Sequence, residues 1–389
     1  MMRIANVETF IVTVPRDTPY LGPLGPGERV NARGYLVRRG NGTIYPTVDR
    51  SIAVRLTAAD GSVGWGETYG ICAPRATCEI INDLLAPVLI DSEIDDVSAT
   101  WDMLYDLMRV RGCSGGFHGD ALAALDIALW DLAGKARGLP VRDLIGPLAH
   151  PTIPSYLSGL PAATLAERVA LAQDWQARGI TAFKFAAVVS HEGIVEEMAA
   201  LRAALGPQAD ILIDLHWKFT PEEAHTLIAQ LEPYRPGFIE APLKPEAMAD
   251  LAALAAQIPI PIAAGEEWYN SYDVANRLAF GPIAFIQPEM GHTGITQFLR
   301  IAQLAAQHGI AIAPHATIGA GIFLAASLHA SATLPRLWKH EWQHSVFTRN
   351  LALLHTDMAH DADGYHLPTG PGLGIEPGES FRAAAELVS

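Results

Sequence analysis

Asp214, Glu240, Glu266, Glu289, His315 and Glu341 follow one another at steps of 26, 26, 23, 26 and 26 residues, each where a short apolar run ends. Carboxylates brought to one point cannot all stay ionised without a cation among them. Asp214, Glu240 and Glu266 supply three hard oxygen donors, which suit an octahedral Mg2+ site completed by water and substrate. A carboxylate beside an imidazole orients it and raises its basicity, so Glu289 and His315 read as a general-base pair. His216 lies two residues past Asp214 and falls on the same side of a strand. Lys184, in the run TAFKFAA, would face a bound anion. Glu341 would donate a hydrogen bond if a low-dielectric site kept it protonated. Glu267 is adjacent to Glu266, and strand alternation lets one of the two point inward. Singly, each residue has a plainer reading: a solvated acid, a helix cap, a hydrogen-bonded histidine, a lysine snorkelling to solvent. The common register is what favours chemistry.

That register needs a scaffold that repeats. A strand–helix unit of a (β/α)8 barrel takes roughly 30 residues and places chemistry at the C-terminal ends of its strands. After Pro151 the runs IPSYLSG, TAFKFAA, DILIDLHW, GFIEAP, PIAAGE, AFIQPE, IAIAPH and one ending near WKHE alternate with helical stretches. Thr220-Pro221-Glu222-Glu223 and Thr164-x-x-Glu167 are capping boxes that open two of those helices. Strands apolar on both faces indicate a parallel sheet covered on both sides. A doubly wound sheet gives the same alternation but no reason for six polar residues in one register.

Upstream, residues 2–14 alternate as a strand, and residues 50–68 form a hairpin around Asp60-Gly61. Residues 76–136 read as helical, with Leu122, Leu125, Leu129 and Leu132 on one face before Gly138 and Pro140. The expected fold is α/β: an α+β capping domain over 1–148, then a TIM-like (β/α)8 barrel over 149–355. The loop-rich tail 356–389 returns to the cap. A net charge of −15 removes a nucleic-acid partner, since little basic surface is available for phosphates. Three cysteines make no even framework, and no apolar run approaches the ~18 residues of a membrane span, so a soluble, cytoplasmic protein with no membrane partner is expected.

The motifs also carry a likeness. VGWGE (Val63–Glu67) and ALDIALWDLAGKARGLPV (Ala124–Val141), then IDLH, FIEAP, AAGE, QPE, GHTGIT, PHATIG and GPGLGIE, resemble the mandelate racemase subgroup of the enolase superfamily over nearly the whole chain. Within it, Asp-x-His on strand three, a lone strand-two lysine and LEPYRPGFIE resemble the acid-sugar dehydratases typified by D-galactonate dehydratase. The resemblance implies Mg2+ on Asp214, Glu240 and Glu266, and abstraction of the proton α to a substrate carboxylate through an enediolate. It implies His315 as base, oriented by Glu289, and His216 as the acid that protonates a departing β-hydroxyl. Lys184 and Glu341 would hold the carboxylate and the enediolate, and the chain would be a homo-oligomer.

Two positions depart from that pattern. A second strand-two lysine is replaced by Ala186, which favours elimination over two-base racemisation, and the usual Asp beside the strand-seven histidine is Glu289. The expected activity is dehydration of a small carboxylate substrate, an aldonate or aldarate, to its 2-keto-3-deoxy acid. The alternatives are a racemase or epimerase using His315 and His216, and a non-catalytic binder on a decayed barrel. The loops 16–45 and 68–75 should read the substrate's far end, with Arg29, Arg33, Arg38 and Arg39 on the first.

Overall fold

The computed structural model describes residues 2–16, 24–316 and 319–388. Residues 17–23 of the long first loop and Thr317 and Ile318 of the PHATIG run lie outside the described residues. The chain opens with strand β1 (Met2–Val14), a small hairpin of β2 (Tyr35–Val37) and β3 (Ile44–Pro46), then β4 (Asp49–Ala58) and β5 (Val63–Tyr69). β1 pairs antiparallel with β4, and β4 with β5 across the Asp60-Gly61 turn. Residues Ala385–Val388 add a strand on the other edge of β1, while the hairpin at 359–366 pairs instead with Thr152–Ile153, just before the first barrel strand.

Helix Gly116–Arg137 lies on this sheet, and the glycines of VGWGE explain how closely. A Cβ at Gly64 would stand 2.3 Å from the carbonyl oxygen of Ala128, and one at Gly66 1.9 Å from that of Ala124. The helix is buried nearly all round because helix Met290–Gln307 of the barrel covers its other side. Its acids are therefore bonded rather than solvated. Asp126 accepts the amide of Thr296 at 2.9 Å, and Asp131 accepts those of Trp65 and Leu373, each at 2.8 Å. Glu67, fully buried, accepts the amides of Ala320, Ile322 and Phe323 and so caps helix Ile322–Ser331. Stranding these donors would cost about 1–3 kcal/mol each.

Eight parallel strands follow in chain order: Ser155–Ser158, Ala182–Ala186, Asp210–Asp214, Ile239–Glu240, Ile262–Ala264, Phe285–Ile286, Ala311–Ile312 and His340–Trp342. Each pairs with its predecessor through the seventh, and the eighth pairs with the first at His340↔Ser155. A bridge between Ile312 and Leu337, with the amide of Trp338 on Ile312, joins the seventh strand to the approach of the eighth and closes the barrel. Inside, Tyr156, Ala182, Leu212, Phe238 and Ala263 form an apolar floor. The polar residues of the register sit beyond it, toward the C-terminal strand ends. Among the described residues no helix is long and apolar enough to cross a membrane.

Two buried histidines brace the barrel. His340 shares hydrogen bonds with Ser327 Oγ (2.8 Å) and the carbonyl of Glu341 (2.9 Å), and His329 bonds the carbonyl of Leu373 (3.2 Å). Burial pushes each imidazole down to about 4. A folded value below the unfolded one gives stability that is fully present above pH ~6.5 and is lost as pH falls toward 4. Asp126, pushed up to about 7 by burial, acts with the opposite sign in the same window. The stability difference between wild type and His329→Gln therefore isolates the histidine. It should shrink by up to about 3 kcal/mol between pH 6.5 and 4 in urea titrations. A difference independent of pH would mean that His329 titrates normally.

Candidate active site

The sheet register sets the heights of the functional side chains. Asp214 pairs with Glu240 on one side and with Ala186 on the other, so these three stand level at the rim. Lys184, opposite Leu212, is one pleat deeper. The position that would hold a second lysine is thus a methyl group at rim height. Glu266 follows the fifth strand across Gly265, whose φ of 118° turns the chain. Glu289 and His315 lie opposite each other in a parallel bridge past the sixth and seventh strands. Glu341 sits on the eighth strand opposite Tyr156.

His216 reaches the site by a different route from pleat alternation. The third strand ends at Asp214, and His216 and Trp217 are both left-handed, with φ of 51° and 52°. Such a conformation costs a non-glycine residue about 1–3 kcal/mol. It is held by the His216 amide on Asp214 Oδ1 (2.8 Å) and the Trp217 amide on the carbonyl of Ala241 (2.7 Å), itself left-handed. The result brings His216 Nδ1 to 2.8 Å from Asp214 Oδ2.

The remaining contacts form one ionic network. Lys184 Nζ lies 2.7 Å from Glu240 Oε2 and 3.1 Å from Glu341 Oε1. His315 Nδ1 lies 2.6 Å from Glu289 Oε2, and its Nε2 3.2 Å from Glu266 Oε2. Five carboxylates face one lysine and two imidazoles here, so two negative charges remain even with both rings protonated. The titration directions show how the surplus is carried. Burial, aided by neighbouring acids, pushes Glu266 well above the usual carboxylate range and raises Glu240 against the pull of Lys184. Burial alone would depress His315 and His216, but Glu266, Glu341 and Glu289 hold the first well above its ordinary value, and Asp214 raises the second.

Lys184 stands a pleat below the rim, buried between Glu240 and Glu341. Burial raises the carboxyl of Glu341, but Lys184 and His315 outweigh burial and hold it below the ordinary range. Arg38 is buried with its guanidinium 2.7 Å from Glu28, while Arg29, Arg33 and Arg39 are exposed. Glu267 turns away, accepting Trp268 Nε1 at 2.9 Å.

Several residues escaped the sequence reading. Tyr156 Oη donates to Glu341 Oε2 at 3.3 Å, and the pairing of its strand with the eighth was the signal. Tyr45, buried on β3 and bonded by Asn41 Nδ2 at 3.0 Å, has its phenol pushed up to about 12 by burial and then by Glu266 and Asp214. The charges of the site therefore reach the cap hairpin. Gln287, fully buried on the sixth strand's exit, left no trace in the pattern because glutamine carries no charge register.

Among the described residues no three His, Cys, Asp or Glu side chains are gathered as a ready-made cage, since each carboxylate of the trio leans on its own cation. The donor set nevertheless fits a hard divalent ion. Glu240 Oε1 is buried without a hydrogen-bond partner, and the surplus of two negative charges equals what one such ion supplies.

Residues 167–381 match the enolase C-terminal domain-like family, and residues 45–146 match the mandelate racemase / muconate lactonizing enzyme N-terminal domain. A D-galactonate dehydratase from Ralstonia nicotianae is 32% identical over 358 residues, 87% of this chain and 92% of that protein. A member of the enolase superfamily from Agrobacterium tumefaciens has a solved structure with a TM-score of 0.97 at 54% identity, over 100% of both chains. A Sinorhizobium meliloti protein provisionally described as an isomerase superposes with a TM-score of 0.97 at 52% identity, over 99% of this chain and 100% of that one.

Proposed function

The chain belongs to the mandelate racemase / muconate lactonizing enzyme group of the enolase superfamily, and from that premise we propose that it is a Mg2+-dependent dehydratase of an aldonate or aldarate. The observation that carries this reading is the asymmetry of the site. The His315–Glu289 pair stands on the seventh-strand side, His216 on the third, and the second-strand rim position between His216 and the lysine is Ala186. His315 removes the proton α to the carboxylate through Nε2, with Glu289 accepting the Nδ1 proton bond and fixing the ring. His216, made more basic by Asp214, delivers a proton to the departing β-oxygen. Lys184 balances Glu240 and Glu341 rather than a second proton abstraction.

Asp214, Glu240 and Glu266 would hold the cation, in line with members of the superfamily that bind Mg2+. When bound, it supplies positive charge against the negative charge that develops on the substrate's carboxylate. Curated relatives near 30% identity are D-galactonate dehydratases, which supports elimination as the reaction class.

The test is a library of mono- and diacid sugars with Mg2+, followed as semicarbazide-reactive ketoacid, alongside His216→Asn. The variant should lose dehydration by about 10²–10⁴-fold while retaining α-proton exchange. No turnover across the library would remove the lyase reading. A second reading is an isomerase working by 1,1-proton transfer, favoured by the relative at 52% identity described as an isomerase. Deuterium entering both epimers without ketoacid release would select it.

A further inference from the structure

Behind the base pair lies a second cluster that the proposed reaction does not use. His292 is in the first turn of helix Met290–Gln307, the helix that Glu289 caps by accepting the Gly291 amide at 2.9 Å through Oε1. The other oxygen of the same carboxylate holds His315. Any shift of this helix start therefore moves the residue that orients the base.

The cap domain grips that helix start. His292 Nδ1 lies 2.6 Å from Oδ1 of Asp120, a buried residue of cap helix Gly116–Arg137. Tyr69, at the end of β5, stacks on the His292 ring with centroids 4.1 Å apart and planes 12° apart. Thr68 Oγ1 donates to the carbonyl of Gly291, and a Cβ at Gly291 would stand 2.8 Å from the Tyr69 ring.

Asp120 also reaches the neighbouring loop. Tyr269 interacts with its carboxyl, lies 4.7 Å from His292 between ring centroids, and is wedged where a Cβ on Gly119 would be 2.3 Å away. Asn270, next in sequence, donates to the carbonyl of Ser114 at 2.7 Å. Tyr269 and Asn270 belong to the loop that begins with Glu266. Asp120 thus touches both segments whose carboxylates contact His315, one at each ring nitrogen.

We propose that Asp120, acting through His292 and Tyr269, is a positioning residue that makes the geometry of the His315 base depend on the seating of the cap domain. It touches no reacting atom, and it works by fixing where Glu289 and Glu266 end. Tyr69 is the last residue of β5, immediately before the loop of residues 70–73, so a displacement of that loop would loosen the base at the same time. This inference rests on the proposed role of His315, and one arm of its test does not.

The experiment compares Asp120→Ala, Asp120→Asn and His292→Gln in the full chain. Misplacement of a catalytic group costs up to ~10²-fold in rate. Asp120→Ala should lower kcat by about 10–100-fold with KM within about threefold, and Asp120→Asn, which can still bond both partners, should recover most of it. The double variant with His292→Gln should be no slower than the slower single. Independently of any substrate, amide exchange in 266–270 and 289–293 should quicken in Asp120→Ala and in His292→Gln while the barrel strands stay protected. A raised KM at unchanged kcat, additive losses, or unchanged exchange in those two segments would each overturn the proposal. Wild-type protein that turns over no acid sugar, with faster exchange still seen in the variants, would refute the substrate reading and leave the positioning role standing.

Discussion

His315→Asn is expected to lower turnover by about 10²–10⁴-fold and to remove exchange of the α-proton with solvent. Asparagine can still donate toward Glu289 and fills similar space, so the site should keep its shape while losing the atom that takes the proton. Only one ring nitrogen is available for that task. Nδ1 is committed to Glu289 at 2.6 Å, which leaves Nε2, the nitrogen that faces Glu266 at 3.2 Å, as the base. The surrounding acids hold the ring protonated well above its ordinary value against the pull of burial. Activity should therefore rise with pH along an acidic limb as this proton is lost, and whatever draws Glu266 away from Nε2 should move that limb downward. The measurement is deuterium wash-in at the α-carbon beside ketoacid release, for both histidine variants. If His216→Asn loses exchange and His315→Asn keeps it, the acid and base are the other way round.

The barrel was readable because parallel strands buried on both faces appear as apolar runs, and each such run ended at the polar residue that now lines the mouth. Glu240 on the fourth strand and Glu341 on the eighth illustrate this directly. What escaped was anything fixed by contacts far apart in sequence. Lys184 could be placed on its strand, but its pairing with Glu341, 157 residues away in the chain, depends on strand eight lying beside strand one. The hairpin of β2 and β3 was hidden in a Gly- and Pro-rich stretch because three-residue strands carry no usable period. His216 was placed near Asp214 for the wrong reason: two left-handed residues, not the pleat, set its direction. Asp120 and His292 meet across 172 residues of sequence, and neither stands out until cap and barrel are docked.

Glu240→Gln is expected to weaken Mg2+ binding by at least about 10²-fold and to take catalysis with it. The argument is one of charge. Five acids against three cationic side chains leave the pocket two charges short, and the shortage is met by protons: Glu266 is pushed well above the carboxylate range, and Glu240 is raised too. A divalent cation competes with those protons. Its binding should release protons, and its affinity should increase as pH rises until both carboxyls are ionised. Calorimetry in buffers of different ionisation heat measures that release directly, without a substrate. Glu266→Gln removes the group with the larger upward displacement, so it should release fewer protons than wild type while binding more weakly. Mg2+ that binds with no proton release, or with an affinity indifferent to Glu240→Gln, would mean that the cation sits elsewhere. The charge surplus at the barrel mouth would then need another explanation, since a pocket of buried acids this dense is costly to keep for structure alone.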